Sequence, residues 1–296
     1  MKKFDSCTYF NINDVSITGR LIRLDNTIDT ILSKHLYPKD VSGILAESTA
    51  LACLLSSSIK YDGLFTLQIQ TDGAVSLVVV DVTTDGKIRA CARFDKEKIE
   101  KIRNPNEKFK LQDHETLEAP HWLGKGHLAF TVDQGKSTDL YQGIVELNGK
   151  DLSECALKYF KQSEQIETYL KLYITYDNGW KSAGILLQKL PEHKDVEDKW
   201  EEAVVFAQSL AKEEIFNDDL SSIEILNRLY HNNDLRVSQT KEYAFSCRCS
   251  REKLQETLST ISGEELYKMT ENGKITAQCN FCSELYSFDK GELIKH

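Results

Sequence analysis

The sequence predicts an α+β protein with an N-terminal domain of antiparallel sheets and helices, a helical linker and a small metal-stabilised C-terminal domain. Three observations predict this arrangement. Alternating apolar runs are separated by Asp-Gly and Asn-Gly turns, which is typical of antiparallel hairpins. Residues 41–60 form one long apolar run with helical periodicity. Four cysteines lie in two close pairs near the C-terminus, a spacing typical of metal sites.

The first domain is predicted over residues 1–191. Its helix at 41–60 carries Ile44, Leu51 and Leu55 on one widened apolar face and should be largely buried. A second helix should begin at Asp151, which has capping-box spacing to Glu154. Helices alternate with antiparallel strands in this domain, so the class is α+β.

Strands are predicted wherever apolar and polar residues alternate. Two Asp-Gly turns, at 71–73 and 84–86, separate three of these strands, and type I′ geometry with positive φ is expected there. Asp177-Asn178-Gly179 joins the last hairpin. The predicted strands are 17–25, 64–70, 74–82, 87–94, 127–133, 139–147, 168–176 and 180–190.

The segment 192–243 is predicted to be a metastable helical linker. Most residues at its start are charged, so the apolar face of its first helix is narrow. Such a helix is marginal by itself and must dock on another surface to stay folded. The face is formed by Val196, Trp200, Val204, Ala207 and Ala211.

The C-terminal domain is predicted over residues 244–296. Cys247, Cys249, Cys279 and Cys282 suit one tetrahedral zinc ion per chain. The same spacing suits two short disulfides, so the domain could alternate between a zinc site and a disulfide form. A passive structural zinc site is the alternative. An iron–sulfur cluster is disfavoured because the spacing matches neither ferredoxin pattern.

Composition and charge limit the functional classes. The net charge is −9 and the pI is about 5.4, which argues against a general nucleic-acid binder. There is no signal-peptide core, and no segment is expected to span a membrane. The expected location is the reducing cytoplasm, where cysteines are thiols or metal ligands by default. The four scattered cysteines are interpreted as small buried apolar residues: Cys7, Cys53, Cys91 and Cys155.

No catalytic motif is present in the sequence. It contains no G-x-S-x-G, Walker or G-x-G-x-x-G pattern, and its seven histidines are dispersed. We therefore expect no enzymatic activity. The competing interpretation is a soluble enzyme or a nucleic-acid-binding factor that carries a passive structural zinc domain.

The chain resembles the 33-kDa heat-shock protein family, the redox-regulated holdase chaperones of bacteria. The first part of the resemblance is Cys247-Arg248-Cys249, then 29 residues, then Cys279-Asn280-Phe281-Cys282, followed by Tyr286 and Phe288. The second part is three blocks of the first domain: FTLQIQTDGAVSLVVVDVTTDGKIRA, YQGIVELNGKDLSECALKYFKQSEQI and AGILLQKLP. Together they cover nearly the whole chain.

The resemblance implies a switch in the C-terminal domain. The four cysteines would bind zinc when reduced, and under oxidative stress they would form the disulfides Cys247–Cys249 and Cys279–Cys282. The active form would bind unfolded or aggregation-prone client proteins without ATP and would be a homodimer. Client binding and dimerisation would belong to the N-terminal domain. The four additional cysteines depart from this pattern and could mispair with the switch.

Overall fold

The structure is a computed structural model, and it describes residues 4–14, 16–102, 122–134, 141–190 and 197–293. The chain divides into two compact units, Met1–Phe245 and Ser246–His296. The first is a mixed α+β unit with antiparallel sheets, as the sequence predicts. The segment 192–243 belongs to this first unit; its role as a metastable linker remains a prediction.

Five antiparallel strands form sheet A, in the order β10-β1-β2-β9-β8. This order places the N-terminal strand β1 between β2 and β10, a strand of the segment 192–243. The bounds are β1 (Ser6–Ile12), β2 (Ile17–Leu24), β8 (Thr168–Tyr176), β9 (Trp180–Lys189) and β10 (Arg236–Glu242).

Six strands form sheet B, in the order β11-β5-β4-β3-β6-β7. The pairs are antiparallel, apart from the parallel pair of β11 with β5. The bounds are β3 (Leu64–Thr71), β4 (Val75–Thr83), β5 (Lys87–Phe94), β6 (Gly126–Asp133), β7 (Tyr141–Glu146) and β11 (Ala244–Phe245).

The first unit also contains seven helices among its described residues. The sequence correctly predicts α2 and the start of α4, where the Asp151 carboxylate accepts a hydrogen bond from the Glu154 N–H at 2.8 Å. The helix α4 continues as a π-helical turn over Phe160–Glu164. The bounds are α1 (Asn26–Ser33), α2 (Lys39–Ser58), α3 (Lys96–Ile102), α4 (Leu152–Tyr159), α5 (Glu197–Ser209), α6 (Lys212–Ile215) and α7 (Ser222–Tyr230).

The main hydrophobic core, here called the central core, lies around α2. It joins one face of sheet A to residues of sheet B, and Ile22, Leu51 and Val80 are fully buried in it. Helix α2 is long and apolar enough to cross a membrane by length and composition, which differs from the prediction above. However, 94 % of its most apolar window is buried inside the protein. Its apolar character is explained by its position as the core helix.

A second core, here called the linker core, lies on the opposite face of sheet A. It contains eight buried residues from β1, β2, β8 and β9 and eight from the segment 197–230. The helices α5 and α7 therefore cover an apolar sheet face. The sheet residues are Phe10, Ile12, Ile17, Leu21, Tyr173, Ala183, Ile185 and Leu187. The covering residues are Ala203, Ala207, Leu210, Ile215, Ile225, Leu226, Leu229 and Tyr230.

The buried face of α5 differs from the predicted one. Ala203 and Ala207 are fully buried, whereas Trp200 and Val204 are only half-buried. Ala211 is exposed and precedes α6, because the chain turns at Leu210 and the helical periodicity ends. Val196 lies outside the described residues. The segment is also not entirely helical, since its last part is the strand β10, whose polar sequence RVSQTKE gave no strand signal.

The predicted hairpins form, but their turns differ from the predicted geometry. At the turn after β4, only Gly86 has positive φ (81°), and neither Asp72 nor Gly73 does at the turn after β3. Type I′ geometry instead occurs at Asn272-Gly273, with φ of 51° and 80°. Asparagine enters the left-handed region more readily than most residues, which suits the two-residue loop there.

Candidate metal centre

The second unit, Ser246–His296, is a small module with its own sheet. Its strands pair in the order β12-β13-β14, all antiparallel. Five buried apolar residues form its core: Leu258, Leu266, Ile275, Phe288 and Leu293. The bounds are α8 (Arg251–Leu258), α9 (Gly263–Lys268), β12 (Thr270–Glu271), β13 (Lys274–Gln278), β14 (Leu285–Asp289) and α10 (Lys290–Leu293).

Local structure places one cysteine pair at each of two chain turns. Cys247 and Cys249 immediately precede α8, whose N-cap Ser250 accepts a hydrogen bond from the Lys253 N–H at 3.3 Å. Cys279 and Cys282 lie in the loop between β13 and β14. The Cys279 N–H donates to the Glu284 carbonyl at 2.9 Å, and the Ser283 N–H donates to the Cys279 carbonyl at 2.9 Å.

These turns bring the four sulfurs together. All four Sγ atoms lie within 4.8 Å of one another. The Sγ atoms of Cys247 and Cys279 are 3.7 Å apart, and those of Cys249 and Cys282 are 3.4 Å apart. Four sulfurs bound to one tetrahedral zinc at about 2.3 Å would be about 3.8 Å apart. The arrangement therefore fits one metal ion with four thiolate ligands.

The donor set favours zinc. Four thiolates suit Zn²⁺ in a closed structural site, and each cysteine here is a free thiol rather than half of a disulfide. Among the described residues, these four cysteines are the His, Cys, Asp or Glu side chains that lie close enough together to hold a metal ion. The residues singled out from the sequence are thus the ones that the structure brings together.

The four thiols have different electrostatic surroundings. Burial raises the pKa of Cys247 and of Cys282, and neighbouring cysteines add to the effect at Cys282. Burial also acts to raise the pKa of Cys249, but hydrogen bonds from the Tyr286 hydroxyl and the neighbouring thiols outweigh it, so this pKa is lowered. The Tyr286 hydroxyl is 3.3 Å from the Cys249 Sγ. The role of Tyr286 was not predicted, because its contact depends on how β14 crosses the module.

The other four cysteines lie outside this cluster, and all are buried. Burial raises the pKa of Cys7 to about 12 and that of Cys53 well above its usual value. Burial also raises the pKa of Cys155, against a hydrogen bond from the Gly149 N–H. Oxidants attack the thiolate, and a raised pKa lowers the thiolate fraction of Cys7, Cys53 and Cys155 in the folded state. Their interpretation as small buried residues is confirmed.

Comparison with known proteins identifies the family. The family model described as Hsp33 protein matches residues 5–289. The chain belongs to the Hsp33 family. A protein of Caulobacter vibrioides named "33 kDa chaperonin" is 34 % identical over 294 residues, with 96 % of this chain and 95 % of that protein covered. A "33 kDa chaperonin" of Pseudomonas syringae pv. tomato is 36 % identical, with 95 % and 89 % covered.

A solved structure supports the same fold. The crystal structure of the 33 kDa chaperonin from Thermotoga maritima, described as a heat shock protein 33 homolog, matches with a TM-score of 0.81. Its sequence is 21 % identical, and the match covers 98 % of this chain and 96 % of that one. This match shows that the two proteins share a fold, whereas the sequence matches show the Hsp33 family and support a chaperone function for this chain.

Proposed function

We propose that this chain is a redox-regulated, ATP-independent holdase that is inactive when reduced and metal-bound and active when oxidised. The observation that carries the proposal is the cluster that four thiols form among the described residues, from Cys247, Cys249, Cys279 and Cys282. Its sulfur spacing fits one zinc ion. As a chaperone without a nucleotide-binding motif, the protein would need a trigger other than ATP, and thiol oxidation is chemically available at this cluster.

The small module should depend on its metal. Among its described residues, the core of the unit Ser246–His296 consists of five buried apolar residues, and a domain of this size barely supports a core unaided. Bound zinc would hold the four sulfurs as thiolates and cross-link the two cysteine loops. Structural zinc contributes about 10–16 kcal/mol of apparent binding free energy in small peptides, which is also folding free energy.

Oxidation would remove all four ligands together. Two equivalents of a two-electron oxidant such as hydrogen peroxide would take four electrons from the four thiolates and form two S–S bonds. Four protons would be consumed, four water molecules would form, and the metal ion would be released. We propose the pairs Cys247–Cys249 and Cys279–Cys282, because each cysteine has that partner nearest along the chain. Such short loops restore little chain entropy, so the module should unfold.

The segment 192–243 would transmit this change to the first domain. It supplies half of the buried residues of the linker core, and its last strand ends at Glu242, five residues before Cys247. Unfolding of the module would remove the folded structure that follows this segment and leave its end held by Tyr243 in the central core and by the two-residue pairing of β11 with β5. Its own helices are short, so they should loosen once the module is no longer folded.

Loosening of the segment would expose a chaperone surface. The apolar face of sheet A, with Phe10, Leu21 and Ile185 among its residues, would become accessible to unfolded or aggregation-prone clients. Large exposed apolar patches are typical of protein interaction sites. We propose that the N-terminal domain binds clients through this face and dimerises in the oxidised state, as part of a cytoplasmic stress response without membrane or nucleic-acid partners.

Zinc and thiol measurements test the switch directly. We expect one zinc per chain in the reduced protein and eight titratable thiols after that protein is denatured. After peroxide treatment, we expect no bound zinc and four fewer thiols. Peptide mapping should find Cys247–Cys249 and Cys279–Cys282 as the dominant bridges. A dominant Cys249–Cys279 bridge would contradict the proposed pairing.

Light scattering of an unfolding client tests the activity. Oxidised protein should suppress aggregation of a chemically unfolded protein without nucleotide, and reduced protein should do so weakly. A Cys247→Ser/Cys249→Ser variant, which cannot hold the metal with four thiolates, should be active even under reducing conditions. If the reduced and oxidised wild-type proteins protect the client equally, a passive zinc domain is the better interpretation.

A further inference from the structure

Two paired strands at the edge of sheet A differ sharply in character. Five of the seven residues of β1 (SCTYFNI) are buried. In contrast, six of the seven side chains of β10 (RVSQTKE) are exposed. Because β10 is the outermost strand, an exposed polar strand covers the backbone edge of a mostly buried one. The side chains of β10 bury little surface there, so its backbone pairing must supply much of the contact.

The ladder between these strands is also less regular than its neighbour. Strand β1 pairs with β2 through seven consecutive residue pairs, from Ser6 with Arg23 to Ile12 with Ile17. Its pairing with β10 shifts register between Tyr9 and Phe10, so Ser238 forms a bulge. Bulges interrupt the pairing of strands and are common at the edges of sheets. The β1–β10 ladder is therefore the weaker of the two.

The pairing of β10 with β1 depends on whether the segment that contains β10 stays docked. Strand β10 lies between the helices of the linker core and the cysteine module, within the segment that the proposed function releases on oxidation. Loss of β10 would leave the β1 edge with unpaired N–H and C=O groups. Movement of α5 to α7 away from the sheet would expose Phe10 and Ile12, which lie in the linker core.

We infer that the β1 edge, once β10 has left, binds an extended segment of the client protein as an added antiparallel strand. This inference rests on the proposed function. The pairing of β10 indicates which kind of chain can replace it at this edge. Most β10 side chains are exposed, so the β1 edge recognises the backbone of its partner rather than a particular sequence. Unfolded clients of any sequence share that backbone, and strand addition is an established mode of peptide recognition.

The adjacent face sets a preference among client segments. Alternate side chains of an added strand would point toward the apolar face beside Phe10 and Ile12, and the others toward the opposite side. Segments with alternating apolar residues should therefore bind best. Reduction would release the client, because the refolded module returns β10 to the edge and the two strands compete for the same backbone groups.

Hydrogen exchange with single-residue resolution tests this inference. The full-length protein is measured reduced, oxidised, and oxidised with an excess of a chemically unfolded client. We expect the β1 amides that face β10 to exchange at least about tenfold faster after oxidation and to be slowed again about tenfold by the client. Amides of the central strand β9 serve as the internal control and should stay protected in all three states.

Three outcomes would overturn the inference while the holdase activity remains. The β1 amides could stay slow after oxidation, which would mean that β10 does not leave. They could stay fast in the client complex, which would place the client on the sheet face alone. They could become slow without client in proportion to protein concentration, which would assign the edge to a second copy of the chain. Failure of the proposed function is distinguished by unsuppressed light scattering.

Competing peptides test the role of the backbone. A peptide of residues 236–242 should displace client from the oxidised protein. N-methyl groups are placed either on Gln239 and Lys241 or on Thr240 and Glu242, within the unshifted part of the register. Because alternate N–H groups of a strand face opposite edges, only one methylated peptide should lose competition. Equal competition by both, or no competition by any of the three peptides, would contradict strand addition.

Discussion

The two faces of sheet A are covered in different ways. The central core contains 43 buried residues among those described, and only Tyr243 comes from the segment 192–243. The linker core contains 16, and half of them come from that segment. One face is thus closed by the domain to which the sheet belongs, whereas the other is closed by a segment that leads directly to the cysteine module.

This difference would allow one apolar face to open while the other stays closed. The central core joins α2 to strands of both sheets, so its loss would require unfolding of the whole domain. The linker core needs only that α5 to α7 move away from the sheet. A protein built in this way can expose one apolar face and remain folded through the other, which is what a reversible holdase requires.

Substitution of one proposed zinc ligand should have the largest effect on the difference between the two cores. Cys279→Ser leaves three thiolates, so we expect loss of bound zinc. The module would then lose a large part of the zinc-binding free energy, which is about 10–16 kcal/mol for structural zinc in small peptides. Elemental analysis measures the metal, and hydrogen exchange should show fast amides in the module and the linker core but slow ones in the central core. Cys91→Ser, a buried cysteine outside the cluster, is the control and should keep its zinc. Fast exchange in α2 of Cys279→Ser would contradict the independence of the two cores.

A charge buried in the linker core should release the helices of the segment 192–243 from sheet A while the cysteine module stays folded. Ala207 is fully buried under the sheet, so Ala207→Asp should weaken docking by about 3 kcal/mol or more. We expect the reduced, zinc-loaded variant to suppress client aggregation. Gln208→Asp, on the exposed side of the same helix, should behave as wild type. An inactive reduced Ala207→Asp protein with rapidly exchanging helices would show that the covered face does not bind clients.

A smaller effect is expected at Arg23, which joins sheet and linker. Its guanidinium donates to the carbonyls of Asn217 and Leu220 at 2.7 and 2.6 Å, and burial lowers its pKa to about 10, so it stays protonated at neutral pH. Arg23→Ala leaves these carbonyls without that donor, which should cost about 1–3 kcal/mol of docking. Exchange of the α7 amides measures it. The control is Arg228→Ala, which removes an exposed linker ion pair with Glu214 and should change little.

The smallest change concerns one neutral hydrogen bond. The hydroxyl of the fully buried Tyr173 donates to the Leu210 carbonyl at 2.8 Å. Tyr173→Phe keeps the ring and should weaken docking of α5 by about 1 kcal/mol, which corresponds to an about fivefold increase in opening. The exchange rates of the α5 amides check this value. Tyr176→Phe on the same strand, with a partly exposed ring, is the matched control, and an equal response of both variants would argue against the hydrogen bond.

The cluster of four cysteines could be predicted from the sequence because chelating pairs have a local signature. Cys247 with Cys249, and Cys279 with Cys282, must be close in space wherever their loops lie. The N-cap of α4 at Asp151 and the burial of α2 could be predicted for the same kind of reason, since both depend on neighbours along the chain. Strand β10 could not be predicted, because RVSQTKE has no apolar alternation and its strand conformation depends on pairing with β1.

The sequence by itself determined the α+β class, the helices and hairpins with strong periodicity, and the four thiols suited to zinc. Only the tertiary structure decided which surface the segment 192–243 covers. The stripe on α5 shows that this helix needs a partner but does not specify one, and the burial of Arg23 follows from carbonyls nearly 200 positions away. Local patterns record local interactions, whereas docking depends on a surface that exists only after distant strands have paired.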